Sequence, residues 1–137
     1  MRKFKAASAW VAMAGMLALA GHAFAHHAFP AEFDVDKPVT LTGVVSKLDW
    51  VNPHVYVYLD VKDSQGKVTN WALESWPTGI LHKSGVNRDM IKVGTPLTIH
   101  AYRAKDGKNL AYIRKFTWED GHAIETWFGG REPGQPN

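Results

Sequence analysis

The sequence predicts an all-β protein: a small OB-fold-like barrel of five antiparallel strands with a short helix between strands 3 and 4. Two observations predict this fold. Segments rich in β-branched and aromatic residues alternate in hydrophobicity and are separated by short turns that contain glycine or proline. Three of these segments precede a stretch with helix signals and two follow it, which is the element order of an OB-fold. Another small antiparallel barrel or a sandwich is the alternative architecture.

The first strand is predicted at residues 39–50, "VTLTGVVSKLDW". It is long and contains Gly43, where we expect a β-bulge, because the first strand of such a barrel must bend to pair on both sides. The third strand is predicted at 68–76, after a turn through Gly66, and its buried side carries Trp71 and Leu73.

The second strand, predicted at 54–63, alternates strictly between apolar and polar or aromatic residues. Its inward-facing positions are all apolar: Val55, Val57, Leu59 and Val61. Its outward-facing positions are His54, Tyr56, Tyr58 and Asp60. The three strands together predict an antiparallel meander.

Helix signals occupy residues 77–94. Thr78 is the expected N-cap, Ile80 and Leu81 face inward, and Gly85 is the expected C-terminal stop. A further short helical turn is expected at 87–91, where Met90 and Ile91 would pack into the core and close one end of it. The fourth and fifth strands follow at 95–104 and 110–118.

The first 25 residues are predicted to be a cleaved signal peptide. Three basic residues open the chain, residues 7–21 are apolar and rich in alanine, and Ala23-Phe24-Ala25 has the small residues that signal peptidase accepts. The apolar run is shorter than the roughly 20 residues of a spanning helix. We therefore expect cleavage rather than a permanent membrane anchor, and export to the periplasm.

The mature chain is predicted to be one domain at 26–128, followed by a disordered Gly/Pro-rich tail at 129–137. The sequence has no cysteine, which excludes disulfides and a lipid-modified cysteine at the cleavage point. Removing the three basic residues of the leader leaves 13 basic groups against 13 acidic ones. This balance argues against a nucleic acid as partner, because phosphate contacts need an excess of Lys and Arg.

Several motifs resemble a family of small exported bacterial proteins of unknown function. They are "HHAFPAEFD" after the leader, "WVNPHVYVYLDV" at 50–61, "NW" at 70–71 and "YRAKDG" at 102–107. The resemblance covers roughly His26 to Ala123, and it departs from the family at "VGT" (93–95), where an acidic residue is expected after the glycine. The resemblance implies export and a small barrel, and it implies no established activity.

The histidines are the first candidate site. Cleavage after Ala25 would leave His26 with a free α-amine, and this amine and the His26 Nδ1 can chelate one metal ion. A third nitrogen would complete the T-shaped or square geometry that suits Cu(II), with zinc as the second choice. His54 is the preferred third ligand because it follows the Asn52-Pro53 turn and faces away from the core. His27 is the alternative.

Ordinary structural roles are also open for these residues. His26 and His27 can belong to a loose N-terminus, and His54 can simply cap a turn or bind a backbone carbonyl. No compact metal-binding motif such as two histidines on one helix face is present. The remaining histidines of the mature chain are expected to be surface or turn residues: His82, His100 and His122.

An aromatic sheet face is the second candidate site. Tyr56 and Tyr58 are expected side by side on the outer face of the second strand, with Trp50 nearby. This face of an OB-fold commonly binds extended ligands. The alternative function is therefore an interaction module for a protein, peptide or glycan.

Catalytic patterns are weak, and no enzyme is predicted. The sequence has no cysteine nucleophile, no recognisable Ser-His-Asp arrangement and no Gly-rich phosphate loop. Four acidic residues are expected to be ordinary solvated carboxylates at turns and strand ends: Asp34, Asp36, Glu74 and Glu119. The run Glu32-Phe33-Asp34 lies near the histidines and could orient an imidazole that binds metal.

Overall fold

The computed structural model describes residues 29–126. Six strands and two short α-helices follow one another in this part of the chain. The elements are α1 (Phe29–Glu32), β1 (Phe33–Asp49), β2 (Tyr56–Lys62), β3 (Val68–Glu74), α2 (Thr78–Ser84), a 3-10 turn (Arg88–Met90), β4 (Pro96–Ala104), β5 (Leu110–Trp118) and β6 (Ala123–Glu125). No helix among these residues has the length and apolar character that crossing a membrane requires.

Five strands close into a ring. β1 lies between β2 and β4, β3 pairs with the far side of β2, and β5 pairs with the far side of β4. A parallel pairing of β3 with β5, from Ala72 to Glu74, closes the ring. With α2 between β3 and β4, this is the predicted OB-fold-like barrel.

The alternation of the second strand has the predicted effect. Val55, Val57 and Leu59 are fully buried in the core. The inner faces of the other ring strands and the helical segment between β3 and β4 fill the rest of the barrel, and Phe116 is its largest fully buried side chain. Each large apolar side chain buried in this way contributes about 1.5–3 kcal/mol to folding.

Two local details of β1 differ from the prediction. The strand begins at Phe33, six residues earlier than expected, and this extension pairs with β4. The register shift against β2 lies between Val45 and Lys47 rather than at Gly43. Gly43 is needed for a different reason, because a Cβ there would overlap the backbone carbonyl oxygen of Asp60 on β2.

The helix prediction is right in position and wrong in its N-cap. Thr78 is the first residue of α2, and Pro77 occupies the N-cap position without a side-chain cap. Gly85 ends the helix in the left-handed conformation, as predicted, with φ 94°. The 3-10 turn follows, and Ile91 just after it is fully buried.

A sixth strand was not predicted. β6 pairs with β5 through Ile124 and Phe116, after a turn at Gly121. The predicted signal peptide (1–25) and the predicted disordered tail (129–137) lie outside the described residues, so both remain predictions.

Candidate functional site

The loop between β1 and β2 positions His54. Asn52 Oδ1 accepts hydrogen bonds from the Thr78 backbone N–H (3.1 Å) and the Thr78 hydroxyl (3.0 Å) at the start of α2. The Asn52-Pro53 peptide bond is cis. On the far side of His54, Ser75 donates its backbone N–H to the Val55 carbonyl at 2.8 Å. The loop is therefore anchored to both the helix and the end of β3.

Glu74 is the centre of the site. The residue is only 8% exposed. Oε1 lies 2.5 Å from His54 Nδ1, and Oε2 accepts a hydrogen bond from the Tyr56 hydroxyl at 2.8 Å. Oε2 thus accepts a hydrogen bond and Oε1 has a close polar contact, so neither oxygen is buried without a polar neighbour.

The contact with Glu74 determines which nitrogen of His54 is accessible. Nδ1 is buried, and its approach to Glu74 lies outside the angular range of a well-formed hydrogen bond. The side chain as a whole is 42% exposed. Nε2 is therefore the ring nitrogen that an external ligand can reach.

Two phenols surround the carboxylate. Burial raises the pKa of Tyr56, and the hydrogen bond to Glu74 raises it further. Burial also raises the pKa of Tyr112, and the nearby charge of Glu74 adds to this effect. Both phenols therefore stay protonated at neutral pH, so the Tyr56 hydroxyl remains a hydrogen-bond donor.

The start of the described chain lies beside this group. Phe29 of α1 packs against Tyr112, with ring centroids 5.0 Å apart, and Tyr112 is the register partner of Glu74 in the β3–β5 pairing. Trp76 also contacts the Tyr112 ring, edge-to-face, with ring centroids 5.8 Å apart. The Glu32 carboxylate also acts on the pKa of Tyr56. The N-terminal end of the described chain and His54 therefore lie at the same end of the barrel.

The predicted metal ligands fall in two places. His54 lies in the site, whereas His26 and His27 lie outside the described residues. Within residues 29–126, no three His, Asp or Glu side chains are arranged to hold a metal ion. His54 thus contributes a single ligand from the described chain, and a metal site there needs further donors.

The predicted aromatic face is divided between different neighbours. Tyr56 and Tyr58 lie side by side with centroids 6.5 Å apart. The Tyr56 hydroxyl is bound to Glu74, and the Lys47 ammonium lies over the Tyr58 ring at 4.6 Å. Trp50 packs partly against the hydrophobic core.

The sequence prediction was wrong about Glu74. It was expected to be a solvated carboxylate, and it is buried at the end of β3 because Tyr56 and His54 meet it from the neighbouring strand and loop. Asp34 instead pairs with Lys37 at 3.2 Å. The carboxylate that contacts His54 is therefore that of Glu74, and not one from Glu32-Phe33-Asp34.

Sequence reasoning also missed Tyr112. It was assigned to the fifth strand without any role, and its contact with Phe29 depends on the closure of the barrel between β3 and β5. The other histidines lie elsewhere: His82 is exposed on α2, the His122 ring lies tilted against Trp118 with centroids 5.5 Å apart, and His100 Nδ1 lies 3.2 Å from the Thr40 hydroxyl.

Comparison with known proteins finds one family. A model described as a family of unknown function (DUF6152) matches residues 12–123. No curated protein and no solved structure matches the chain.

Proposed function

The chain belongs to the DUF6152 family of unknown function, and we propose from the geometry of its site that it is an exported protein that binds Cu(II) through His54 and its mature N-terminus. The observation that carries the proposal is the buried carboxylate of Glu74, 2.5 Å from His54 Nδ1. Histidines that bind metals usually contact a carboxylate or carbonyl through their other nitrogen, which orients the ring. The proposed role is binding and not catalysis.

The reach of the chain supports the remaining ligands. His26 precedes Phe29 by three residues, and three extended residues span at most about 10–11 Å. Phe29 packs on Tyr112, which is the register partner of Glu74. The proposal therefore needs a segment of only three residues between His26 and Phe29, whose ring already contacts the tyrosine opposite Glu74.

The donor set favours copper. Cleavage between Ala25 and His26 would supply the α-amine and the His26 Nδ1, and His54 Nε2 would be the third nitrogen. Three nitrogens in a T-shaped or square arrangement suit Cu(II), with Zn²⁺ as the second candidate. His27 is the alternative donor from the N-terminal segment.

The export step is tested first. The full-length chain is expressed with its leader in a bacterial host, and the protein recovered from the periplasm is analysed by intact-mass and N-terminal peptide mass spectrometry. The expected first residue is His26. A first residue before or after His26, or a chain that keeps its leader, would remove the amine and the His26 imidazole from the proposed ligand set.

Copper binding is tested on the same mature protein. Titration with CuSO₄, followed by electron paramagnetic resonance, is expected to show one Cu(II) per chain with nitrogen hyperfine structure. His54→Ala should weaken binding by at least about tenfold, because it removes one of three nitrogen ligands. His82→Ala is the matched control, since His82 is an exposed histidine on α2, and it should bind like the wild type. Absence of stoichiometric binding, or equal affinity in His54→Ala, refutes the proposal.

The alternative function is a periplasmic interaction module that binds a protein, peptide or glycan. The half-buried Tyr58 on the outer face of β2 supports it, because tyrosine is enriched at protein interfaces. Tyr58→Ala separates the two functions. Loss of a captured partner with unchanged copper binding would favour the interaction module.

A further inference from the structure

Building on the proposed copper site, we infer that Tyr56 and Glu74 form a positioning pair that holds His54 with its proton on Nδ1, so that Nε2 is the nitrogen that binds the metal. Glu74 touches the imidazole directly, and Tyr56 acts through Glu74. This inference concerns the protein before any metal binds, so it can be tested separately from copper binding.

The first step is the state of the His54 ring. A neutral imidazole carries its proton on one nitrogen and a lone pair on the other. An ionised carboxylate only accepts hydrogen bonds, so a lone pair on Nδ1 would repel Glu74 Oε1 at 2.5 Å. Nδ1 is buried, and the polar atom described in contact with it is Glu74 Oε1. Glu74 therefore favours the tautomer with the proton on Nδ1.

The second step is the orientation of the Glu74 carboxylate. Tyr56 and Glu74 are directly opposite each other in the β2–β3 pairing, and the phenol donates to Oε2 at 2.8 Å. With Oε2 held by Tyr56, Oε1 is directed toward His54. The low exposure of Glu74 strengthens this arrangement, because hydrogen bonds are stronger in a medium of low dielectric than in water.

The third step is the comparison between two tyrosines on one strand face. Tyr58 lies two residues after Tyr56, and its charged neighbours are Lys47, which lies over its ring, and Asp49 rather than Glu74. Removing the hydroxyl of Tyr58 therefore changes the same chemical group on the same surface and leaves the hydrogen bond from Tyr56 to Glu74 in place. Tyr58→Phe is the matched control for Tyr56→Phe.

The metal-free test is nitrogen NMR of ¹⁵N-histidine-labelled protein at about pH 8, with the His54 signals identified by their loss in His54→Gln. The wild type and Tyr58→Phe are expected to show a protonated Nδ1 and an unprotonated Nε2. Glu74→Leu should lose the preference for the proton on Nδ1. Glu74→Gln should keep part of this preference, because its one side-chain oxygen can still accept a hydrogen bond from the Nδ1–H group. A wild-type His54 that carries its proton on Nε2 overturns the inference, whether or not any variant folds.

The metal-bound test measures how the two residues depend on each other. Mutations next to a metal ligand commonly weaken binding by about 10–100-fold, and we expect a loss in this range for Glu74→Leu. Tyr56→Phe should weaken copper binding less, by about threefold to tenfold, because only part of the free energy of its hydrogen bond to Glu74 reaches the metal through His54. In the Glu74→Leu background, Tyr56→Phe should have no further effect. An equal loss in both backgrounds would show that Tyr56 does not act through Glu74.

The two proposals fail in different ways. If the wild type binds no copper but His54 carries its proton on Nδ1, the proposed function fails and the positioning pair stands. If copper binds and the proton is on Nε2, the proposed function stands and the inference fails. Circular dichroism of each variant confirms that the fold is intact before affinities are compared.

Discussion

Gly43 provides a direct test of the barrel, and we predict that Gly43→Ala is strongly destabilising. A Cβ at this position would overlap the Asp60 carbonyl oxygen and lie 3.1 Å from Leu59 Cγ. The overlapping atom belongs to the backbone, so no side-chain rotation relieves it. β2 must move away from β1 to make room.

The structure allows an estimate of the cost. Asp60 is held on both sides, by Val44 of β1 and by Asn70 of β3, so a shift of its carbonyl disturbs two strand pairings. Overpacking of this kind costs about 1–3 kcal/mol, and the constraint from two neighbours places it at the upper end. Replacing glycine recovers about 0.4–1 kcal/mol from the unfolded chain. The net loss is about 2–3 kcal/mol, or a fall in Tm of roughly 8–20 °C for a domain of this size.

The assay is thermal unfolding followed by circular dichroism. Gly79→Ala is the control, because a Cβ at Gly79 in α2 meets no atom within 4 Å and alanine favours a helix over glycine. This variant is expected to melt at or above the wild-type temperature. A Gly43→Ala protein that melts within about 2 °C of the wild type would show that β1 and β2 do not approach each other as closely as described, since the expected loss lies far outside that range.

Two further predictions concern stability. Ser75 Oγ is buried and has no hydrogen-bond partner among residues 29–126, so Ser75→Ala should stabilise the fold by about 1 kcal/mol in urea unfolding. Ser46→Ala should lower the stability instead, because Ser46 Oγ hydrogen-bonds to the Tyr58 carbonyl and to the Asn70 side chain. A loss of stability in Ser75→Ala would contradict this reasoning. Burial first, and then the charge of Lys115, lower the pKa of His100 below its ordinary value of 6.5, so its contribution to stability is present above about pH 6.5 and is lost as the pH falls below it. His100→Gln should therefore lose less stability than the wild type between about pH 8 and pH 5, and equal losses would refute this assignment.

Local signals in the sequence were enough for most of the barrel. The alternation from Val55 to Leu59 determines which side of β2 is buried, because side chains of a strand alternate between its faces. Gly85 ends α2 because glycine adopts the left-handed conformation without a steric cost, so this one residue is enough to predict the end of the helix. The order of the elements then indicated the OB-fold, since three strands followed by a helix and two more strands is typical of that fold.

The sequence was less informative where a contact joins distant segments. The close approach of Gly43 to Asp60 depends on how β1 and β2 pair, and the hydrogen bonds to Thr78 at the start of α2 come from Asn52, 26 residues earlier. β6 is only three residues long and pairs along part of β5. Neither local propensity nor spacing reports such contacts.

The candidate site shows the same division. The motif at residues 50–54 indicated His54 as a candidate ligand from the sequence alone. A histidine that follows a rigid turn, on the outer face of a strand, is available to bind a ligand. No sequence signal indicated a role for Glu74, since a carboxylate at a strand end is usually solvated. Only the pairing of β2 with β3 places Glu74 opposite Tyr56 and beside His54, and only the closure of β3 on β5 brings Tyr112 and Phe29 to the same place. The sequence by itself determined the strands and the exposed histidine, whereas the tertiary structure decided which carboxylate that histidine meets, because register and closure are properties of the whole barrel.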